Sequence, residues 1–296
     1  MEPWSRPPFL RDGAERITPK KGGPMGLIAA FQVASGPDHA TTSFVSLVVP
    51  LFFAAIYLFG GRANQVLGET ALRRFHSFSS GCAISYVFVY IMPELHAIRV
   101  AHLESQTDYI ERIFPGFSVY LSALLGFLAF YGLESLVAGP REGTGDGSDH
   151  GPGASRWKPW LHVGSFAVYT WLITFQIGRM GGEAASLCVF SLAMGLHLAP
   201  IANRLRSEHP AVYEHRGAIL LALSSLAGWT CGLTLNLPGL LVLDMTAIVA
   251  GGVIVNATIA ELPKQRESSF WSFFLGAVVY SALLLAMSHL GGGGHP

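Results

Sequence analysis

The sequence predicts an all-α integral membrane protein with eight transmembrane helices. Hydrophobic residues make up 51% of the 296 residues and charged residues only 13%, whereas soluble domains carry roughly 25% charge. The charges are clustered, and between them lie apolar runs long enough to cross a bilayer, which requires about 20 helical residues. These observations argue against a soluble domain. The formal net charge is zero, so no overall field favours nucleic acid as a partner.

Eight apolar runs are the predicted spans, and they divide the chain into membrane segments, a loop and two tails. The spans cover residues 42–60, 77–97, 117–138, 159–178, 184–203, 216–235, 239–261 and 268–288. Spans one to three therefore occupy residues 42–138, and spans four to eight occupy residues 159–288. The N-terminal tail (1–41), a flexible Gly- and Ser-rich loop (139–158) and the C-terminal tail (289–296) lie outside these segments.

The spans differ in polarity. Spans three and eight are almost purely apolar, whereas spans two, four, five and seven carry His, Ser, Tyr, Gln, Asn or carboxylate side chains. A purely apolar helix can face lipid, but polar atoms at membrane depth require protein partners or water. The four polar spans are therefore predicted to enclose a hydrogen-bonded or hydrated seam.

Lysine and arginine residues predict the orientation. The loops on the side of the N-terminus hold three basic residues, or eight with the N-terminal tail, and the loops on the other side hold eleven. Because cytoplasmic loops carry the excess of basic residues, both termini are predicted outside and the 139–158 loop inside the cell. The first 24 residues carry five basic residues and no apolar run, unlike a signal peptide.

Spans two and seven share an internal spacing. Gly81 is followed twelve residues later by Pro93, and Gly251 is followed at the same interval by Pro263. In the predicted topology these spans cross in opposite directions, which is the arrangement of an inverted repeat and is common in transporters. The alternative is that two unrelated apolar helices share Gly and Pro by chance, and the spacing alone leaves both interpretations open.

The leading candidate site residues lie on spans four and five. His162, Ser165 and Tyr169 share one stripe of span four at helical spacing, and His197 lies on span five. Neutral imidazole binds zinc, copper, iron and nickel well, so both histidines are candidate metal ligands. Zinc sites usually need three or four protein ligands, and no carboxylate lies one turn after either histidine. A histidine that hydrogen-bonds across a helix interface is the simpler alternative.

Span seven contributes two carboxylates near its opposite ends, Asp244 and Glu261. One interpretation is an interfacial carboxylate in contact with water. The other is a pair of entrance and exit groups for a cation, because acidic residues within membrane segments often mark ion pathways.

These features together resemble the ZIP (zinc/iron permease) family of divalent-metal transporters, in a divergent bacterial branch. The resemblance covers most of residues 42–288 and is carried by SSGCAISYVFVYIMPEL on span two and AGGVIVNATIAELP on span seven. It implies an inverted repeat of spans one to three with spans six to eight. That repeat would enclose spans four and five, where the metal site of the family lies.

The departure from the family pattern falls at this metal site. On span four the family has a His-Asn pair and an acidic residue one turn after the histidine, but residues 162–166 are HVGSF here. On span five the chain keeps His197 and Pro200 and lacks the family's carboxylates. The resemblance therefore implies a reduced metal site of His162 and His197, supplemented by nearby oxygen ligands. The candidate oxygen ligands are Ser165, Tyr169, Asp244 and Glu261.

Two functions and one disfavoured class follow. The first is a ZIP-like transporter that moves zinc or iron toward the cytoplasm and requires no cofactor besides the transported ion. The second is a ZIP-fold membrane protein that has lost metal transport and carries another small solute, or acts as a sensor or assembly partner. An enzyme is disfavoured because the sequence contains no HExxH, GxSxG or paired-acid motif.

The expected surroundings are a lipid bilayer, in a bacterial cytoplasmic membrane. Small residues along several spans permit close helix contact. Such contact can form within one chain or between two copies, so a homodimer remains one of the open arrangements.

Overall fold

The structure is a computed structural model that describes residues 39–66, 68–103, 118–138, 157–179, 184–261 and 269–292. Within these ranges all regular secondary structure is helical. The helices are α1 (His39–Val66), α2 (Glu69–Ser85), α3 (Met92–Leu103), α4 (Ser118–Ala138), α5 (Trp157–Arg179), α6 (Ala184–Glu208), α7 (Ala218–Thr234), α8 (Gly239–Glu261) and α9 (Phe270–Gly292). Residues 1–38, most of the predicted 139–158 loop, and residues 293–296 lie outside the described part of the chain.

Two π-helical segments join helices end to end. Tyr86–Ile91 connects α2 to α3, and Tyr213–Gly217 follows the single turn Pro210–Val212 and leads into α7. The first segment lies directly before Pro93, which lacks an amide hydrogen and whose ring crowds the preceding turn. The hydrogen-bond ladder shifts there, and such π segments are frequent at functional sites.

In the described part of the chain, five helices are long and apolar enough to cross a membrane. They are the continuous α2–α3 helix, α4, α6, α8 and α9, while α1 and α7 contain shorter apolar stretches. The all-α prediction is therefore confirmed for the described residues, and the five apolar helices fit a multi-pass membrane protein. Helices occupy each of the eight predicted spans, but a membrane crossing by all eight stays a prediction.

Several helices extend beyond the predicted spans, among them α2 and α6. The first turns of α2, which begins at Glu69, expose Arg73 and Arg74 before the predicted start of span two. Similarly, α6 continues to Glu208, although span five was predicted to end at residue 203. The predicted spans are shorter than the helices because an apolar run ends at the first charged residues. The backbone can remain helical beyond that point, since long charged side chains extend to water. The extension of α6 carries Arg204 and Glu208 into the candidate site.

The helices pack in pairs around α5 and α6. The closest pairs are α5 with α7, α4 with α8, and α2 with α9, while α1 contacts both α6 and α7. The apolar helices α4 and α9 expose most of their side chains, whereas α8 and the α2–α3 helix are mostly buried. This distribution confirms the predicted contrast between outward-facing apolar spans and inner polar spans.

Glycines bring the α2–α9 pair into backbone contact. Gly81 of α2 lies against the carbonyl of Phe273, and Gly276 of α9 lies against the carbonyl of Phe78. A Cβ atom at either glycine would collide with the backbone of the partner helix. Only glycine therefore permits this separation of the two helices.

The α4–α8 pair uses the same kind of contact. Gly251 of α8 lies against the carbonyl of Ala123, and Gly126 of α4 lies against the carbonyl of Ile248. Gly81 and Gly251, which begin the repeated Gly-to-Pro spacing, thus make equivalent contacts in two different helix pairs. Small residues promote such packing in membranes, where apolar lipid provides no hydrophobic force between helices.

We predict that Gly251→Ala destabilises the protein because the new methyl group must push α4 and α8 apart. Overpacking of this kind costs about 1–3 kcal/mol. The measurement is the free energy of unfolding in mixed micelles, obtained by titration with sodium dodecyl sulfate. Gly132→Ala is the matched control, since a Cβ atom on this α4 residue meets open space. Equal stability of the two variants would contradict the proposed backbone contact.

Candidate polar site at the end of the helix bundle

Five polar side chains meet where α4 and α6 end and α5 begins. We call this group the His162 cluster, and it consists of Glu134, His162, Arg204, Glu208 and His209. Glu134 lies in the last turns of α4, and His162 lies near the start of α5. The other three residues come from the last turn of α6 and the residue after it. The cluster exists because α4 and α6 run toward this end while α5 runs away from it.

His162 lies at the centre of the cluster and is completely buried. Its Nε2 is 3.2 Å from Oε1 of Glu134, and its Nδ1 is 3.0 Å from Nε2 of His209. A carboxylate accepts hydrogen bonds only, so Nε2 of His162 carries a proton and donates it to Glu134. Nδ1 of His162 and Nε2 of His209 share the other hydrogen bond, whose direction is set by the tautomers of the two rings.

The Glu134 carboxylate is held from the other side by a guanidinium group. Arg204 forms an ion pair with Oε1 of Glu134, and the same nitrogen lies 3.4 Å from Oδ1 of Asn256 on α8. The guanidinium also lies over the ring of Phe166, 5.6 Å from its centroid, where the ring face attracts a cation. The side chains of Arg204 and Glu134 are 18% and 16% exposed, so water screens this pair only partly.

Glu208 and His209 form the outer side of the cluster. Oε2 of Glu208 lies 3.6 Å from Nδ1 of His162, and the Glu208 side chain is 43% exposed. Burial lowers the pKa of His209 below its ordinary value, and the neighbouring His162 lowers it further. A lower pKa favours the neutral ring of His209, which has one ring nitrogen free of a proton.

A second polar group lies deeper in the bundle. Tyr169 of α5 and His197 of α6 are both buried, and the tyrosine oxygen lies 3.0 Å from Nε2 of His197 and 3.4 Å from the carbonyl oxygen of Val249. The hydroxyl of Tyr169 donates to the carbonyl of Val249, and the tautomer of His197 sets the direction of the shorter bond between the two side chains. Gly252 of α8 provides the space for the tyrosine ring, since a Cβ atom there would crowd it.

The structure places the two predicted histidines in different groups. His162 and Tyr169 are seven residues apart on α5, which is about 10 Å along the helix axis. Within the described residues, His197 bonds to Tyr169 and His162 bonds to the cluster, and no hydrogen bond joins the two histidines. The structure thus brings together Tyr169 and His197, and separates His162 from them.

The remaining predicted site residues lie apart from both groups. The Ser165 hydroxyl donates to the backbone carbonyl of His162 at 2.7 Å, so it caps a turn of its own helix. Asp244, near the start of α8, accepts a hydrogen bond from Ser122 at 3.0 Å. Glu261 is the last residue of α8, and its side chain lies outside the described residues.

Sequence reasoning missed the partners of His162. Glu134 lies near the end of the largely apolar span three, and Arg204, Glu208 and His209 fall between the predicted spans five and six. The available signal was the order Arg-x-x-x-Glu-His-Pro directly after span five, on the side where span four begins. One more helical turn of α6 is enough to bring this segment to His162.

The cluster contains a group of atoms that matches the ligand preferences of a divalent transition metal. Ring nitrogens of His162 and His209 and a carboxylate oxygen of Glu208 all lie within 4.8 Å of one another. Two imidazoles and one carboxylate form a common ligand set of catalytic zinc sites, in which water takes a fourth position. The Tyr169–His197 pair offers a single imidazole and a neutral phenol, which is a weaker ligand set.

We predict that Glu134→Gln destabilises the protein, because the variant leaves the partly buried guanidinium of Arg204 without a charged partner. The expected loss is about 1–3 kcal/mol in the free energy of unfolding. The measurement is thermal or detergent-induced unfolding of purified protein. Ser135→Ala is the control, since this neighbouring residue of α4 is exposed and bonds only to its own helix. A wild-type unfolding curve for Glu134→Gln would show that the ion pair contributes no stability.

Comparisons with known proteins identify no relative. No protein-family model matches the chain, and no significant match was found among curated proteins or among solved structures. What the chain does must therefore be argued from its own residues.

Proposed function

We propose that the protein is a multi-pass membrane transporter of divalent metal ions, with zinc or iron as its cargo and a site that resembles a reduced ZIP site. The observation that carries the proposal is the placement of two imidazole groups, one from α5 and one from α6, at two depths of the bundle. The His162 cluster lies at one end of α5, and the Tyr169–His197 pair lies about two turns deeper. Ligand-type side chains of two inner helices thus lie at successive depths.

The helix packing supports the proposed inverted repeat. If α1, the α2–α3 helix and α4 correspond in order to α7, α8 and α9, then the α2–α9 pair corresponds to the α8–α4 pair. Both pairs are observed, and Gly81 and Gly251 make the same type of backbone contact in them. The correspondence also exchanges α5 with α6, so that the α5–α7 pair matches the α6–α1 pair. Substrate sites lie between the halves of such repeats.

The ligand types along the proposed path favour binding and release of the ion over tight retention. Neutral imidazole binds zinc and iron, whereas loss of the family's carboxylates removes negative charge from the deeper group. A conducting or carrier site must bind its ion well enough to admit it and weakly enough to release it. Asp244 near the start of α8 and Glu261 at its end would serve as entrance and exit groups at opposite membrane faces.

The proposal places the His162 cluster at the cytoplasmic face. Arg204 and Arg206 belong to the basic residues of the side that holds eleven of them, which the positive-inside rule assigns to the cytoplasm. Both termini would then be extracytoplasmic in a bacterial cytoplasmic membrane. Small residues permit close helix contact between two copies of the chain as well. A homodimer is therefore compatible with the transport proposal, which does not require one.

One observation favours a second candidate function. The Arg204 guanidinium already neutralises Glu134 beside His162, as a transported cation would. A ZIP-fold protein with this built-in cation would have lost metal transport, and it would carry another solute or act as a sensor or assembly partner. The ion pair would then serve stability alone.

Uptake of zinc and ferrous iron into proteoliposomes separates the two candidates. We expect saturable uptake by the wild type, and uptake near that of protein-free vesicles for the double variant His162→Ala/His197→Ala. His96→Ala is the matched control, because this histidine of α3 is exposed and lies outside both polar groups. It should transport like the wild type.

The opposite result is equally informative. If folded wild-type protein produced no uptake while an added ionophore did, divalent-metal transport would be excluded and the second candidate would take its place. Uptake that survives the double substitution would show that metal moves without the two imidazoles, and would contradict the proposed path.

A further inference from the structure

We propose that His162, Glu208 and His209 form a divalent transition-metal site at the end of the bundle, separate from the Tyr169–His197 pair. The ligand atoms are Nδ1 of His162, Oε2 of Glu208 and Nε2 of His209. Glu208 and His209 are not part of the metal site that the ZIP resemblance implies. The site deepens the proposed transport function, since it would hold the ion at one mouth of the path.

The separations between these atoms fit a tetrahedral ion. Metal–ligand distances of about 2.0–2.2 Å place two ligands of a tetrahedral ion about 3.3 Å apart. In the structure, Nδ1 of His162 lies 3.0 Å from Nε2 of His209 and 3.6 Å from Oε2 of Glu208. The third pair, a Glu208 carboxylate oxygen and a His209 ring nitrogen, lies within 4.8 Å, and the partly exposed Glu208 side chain can turn toward an ion held between the three residues.

The surroundings of His162 orient it as a ligand. Metal-binding histidines generally donate their second ring N–H to a carboxylate, which sets the tautomer and the ring orientation. Here Glu134 accepts from Nε2 at 3.2 Å, which leaves the lone pair of Nδ1 directed toward Glu208 and His209. Arg204 in turn holds Glu134, so Glu134 and Arg204 act as positioning residues for His162.

Metal binding depends on the position of the proton on His209. Ligation through Nε2 of His209 requires the neutral tautomer whose single ring proton is on Nδ1, so the Nε2 lone pair is free for the ion. His162 keeps its Nε2 proton on Glu134, and Glu208 binds as a carboxylate. Two neutral imidazoles and one carboxylate select zinc, ferrous iron or cobalt over magnesium and calcium, which prefer oxygen ligands.

The burial of the three ligands gives the site an open side. His162 is completely buried, whereas the Glu208 side chain is 43% exposed and His209 is intermediate. An ion would therefore be held against the bundle by His162 and would meet water on the side of Glu208. Three protein ligands and an open fourth position permit the exchange that a site at the mouth of a transport path requires.

The test is titration of cobalt(II) into detergent-purified, full-length protein carrying a histidine-free affinity tag. Tetrahedral cobalt(II) absorbs visible light more strongly than the hydrated ion, and zinc should displace it. We expect the wild type to show this spectrum with one ion per chain. His209→Ala and Glu208→Gln should each weaken binding at least about tenfold, and Glu134→Gln should weaken it about 10–100-fold through the orientation of His162. His96→Ala should bind like the wild type.

A ligand-exchange variant guards against loss of folding in the alanine variant. His209→Cys should restore cobalt binding and add the near-ultraviolet charge-transfer band of a cobalt–thiolate bond, which the wild type lacks. Absence of tetrahedral cobalt in the wild type would overturn the site. Cobalt binding as tight as that of the wild type by folded His209→Ala and Glu208→Gln would overturn it as well. Binding without proteoliposome uptake would retain the site and refute the transport function, so the two proposals fail separately.

Discussion

Paired helices lie in direct backbone contact at glycine residues, and this contact fixes how closely α2 packs with α9 and α4 packs with α8. At Gly81 and Gly276, and again at Gly126 and Gly251, the partner helix lies where a side chain would otherwise be. Lipid is as apolar as the helix surfaces, so close packing has to supply the attraction that the hydrophobic effect supplies in water. On their other sides, α2 packs against α6 and α8 packs against α5 and α6, which defines the interior in which the polar side chains must find partners.

The polar side chains of this interior bond to one another in two groups, the His162 cluster and the Tyr169–His197 pair. Glu134 accepts from both His162 and Arg204, and the Tyr169 hydroxyl bonds to His197 and to the carbonyl of Val249. Most of the polar atoms in each group find partners, because the cost of leaving a polar atom unpaired is high where water is excluded, although Nε of Arg204 has none. The position of each group is set by which helix ends meet, and the end of α6 supplies most of the His162 cluster.

The Arg204–Glu134 pair has two consequences that point in different directions. It stabilises a negative charge close to His162, which keeps the imidazole in the tautomer suited to a metal ligand. It also places a permanent positive charge near the site, which repels a divalent ion. The exposed carboxylate of Glu208 offsets that repulsion, since it lies on the opposite side of His162. Because these charges oppose each other, the cluster fits two competing interpretations. One is a metal site, and the other is an ion pair that serves stability alone.

The helical character of the chain and the contrast between outward apolar spans and inner polar spans follow from the sequence alone, whereas the shared spacing at Gly81 and Gly251 left the internal repeat open. Composition and apolar run length suffice for these conclusions because each helix satisfies its own backbone hydrogen bonds, so its lipid-facing or inner character is a local property. The sequence also singled out His162, Tyr169 and His197 as inner polar residues.

Only the tertiary structure decided which of these residues meet. It separated His162 from His197, joined His197 to Tyr169, and supplied Glu134, Glu208 and His209 as the partners of His162. Those contacts depend on where α6 ends and on how α4, α5 and α6 converge. An apolar-run criterion ends a helix at its first charges, whereas the real helix continues as long as its charged side chains find water or a partner. The last turn of α6, with Arg204 and Glu208, therefore became visible as part of a site only once the helices were packed.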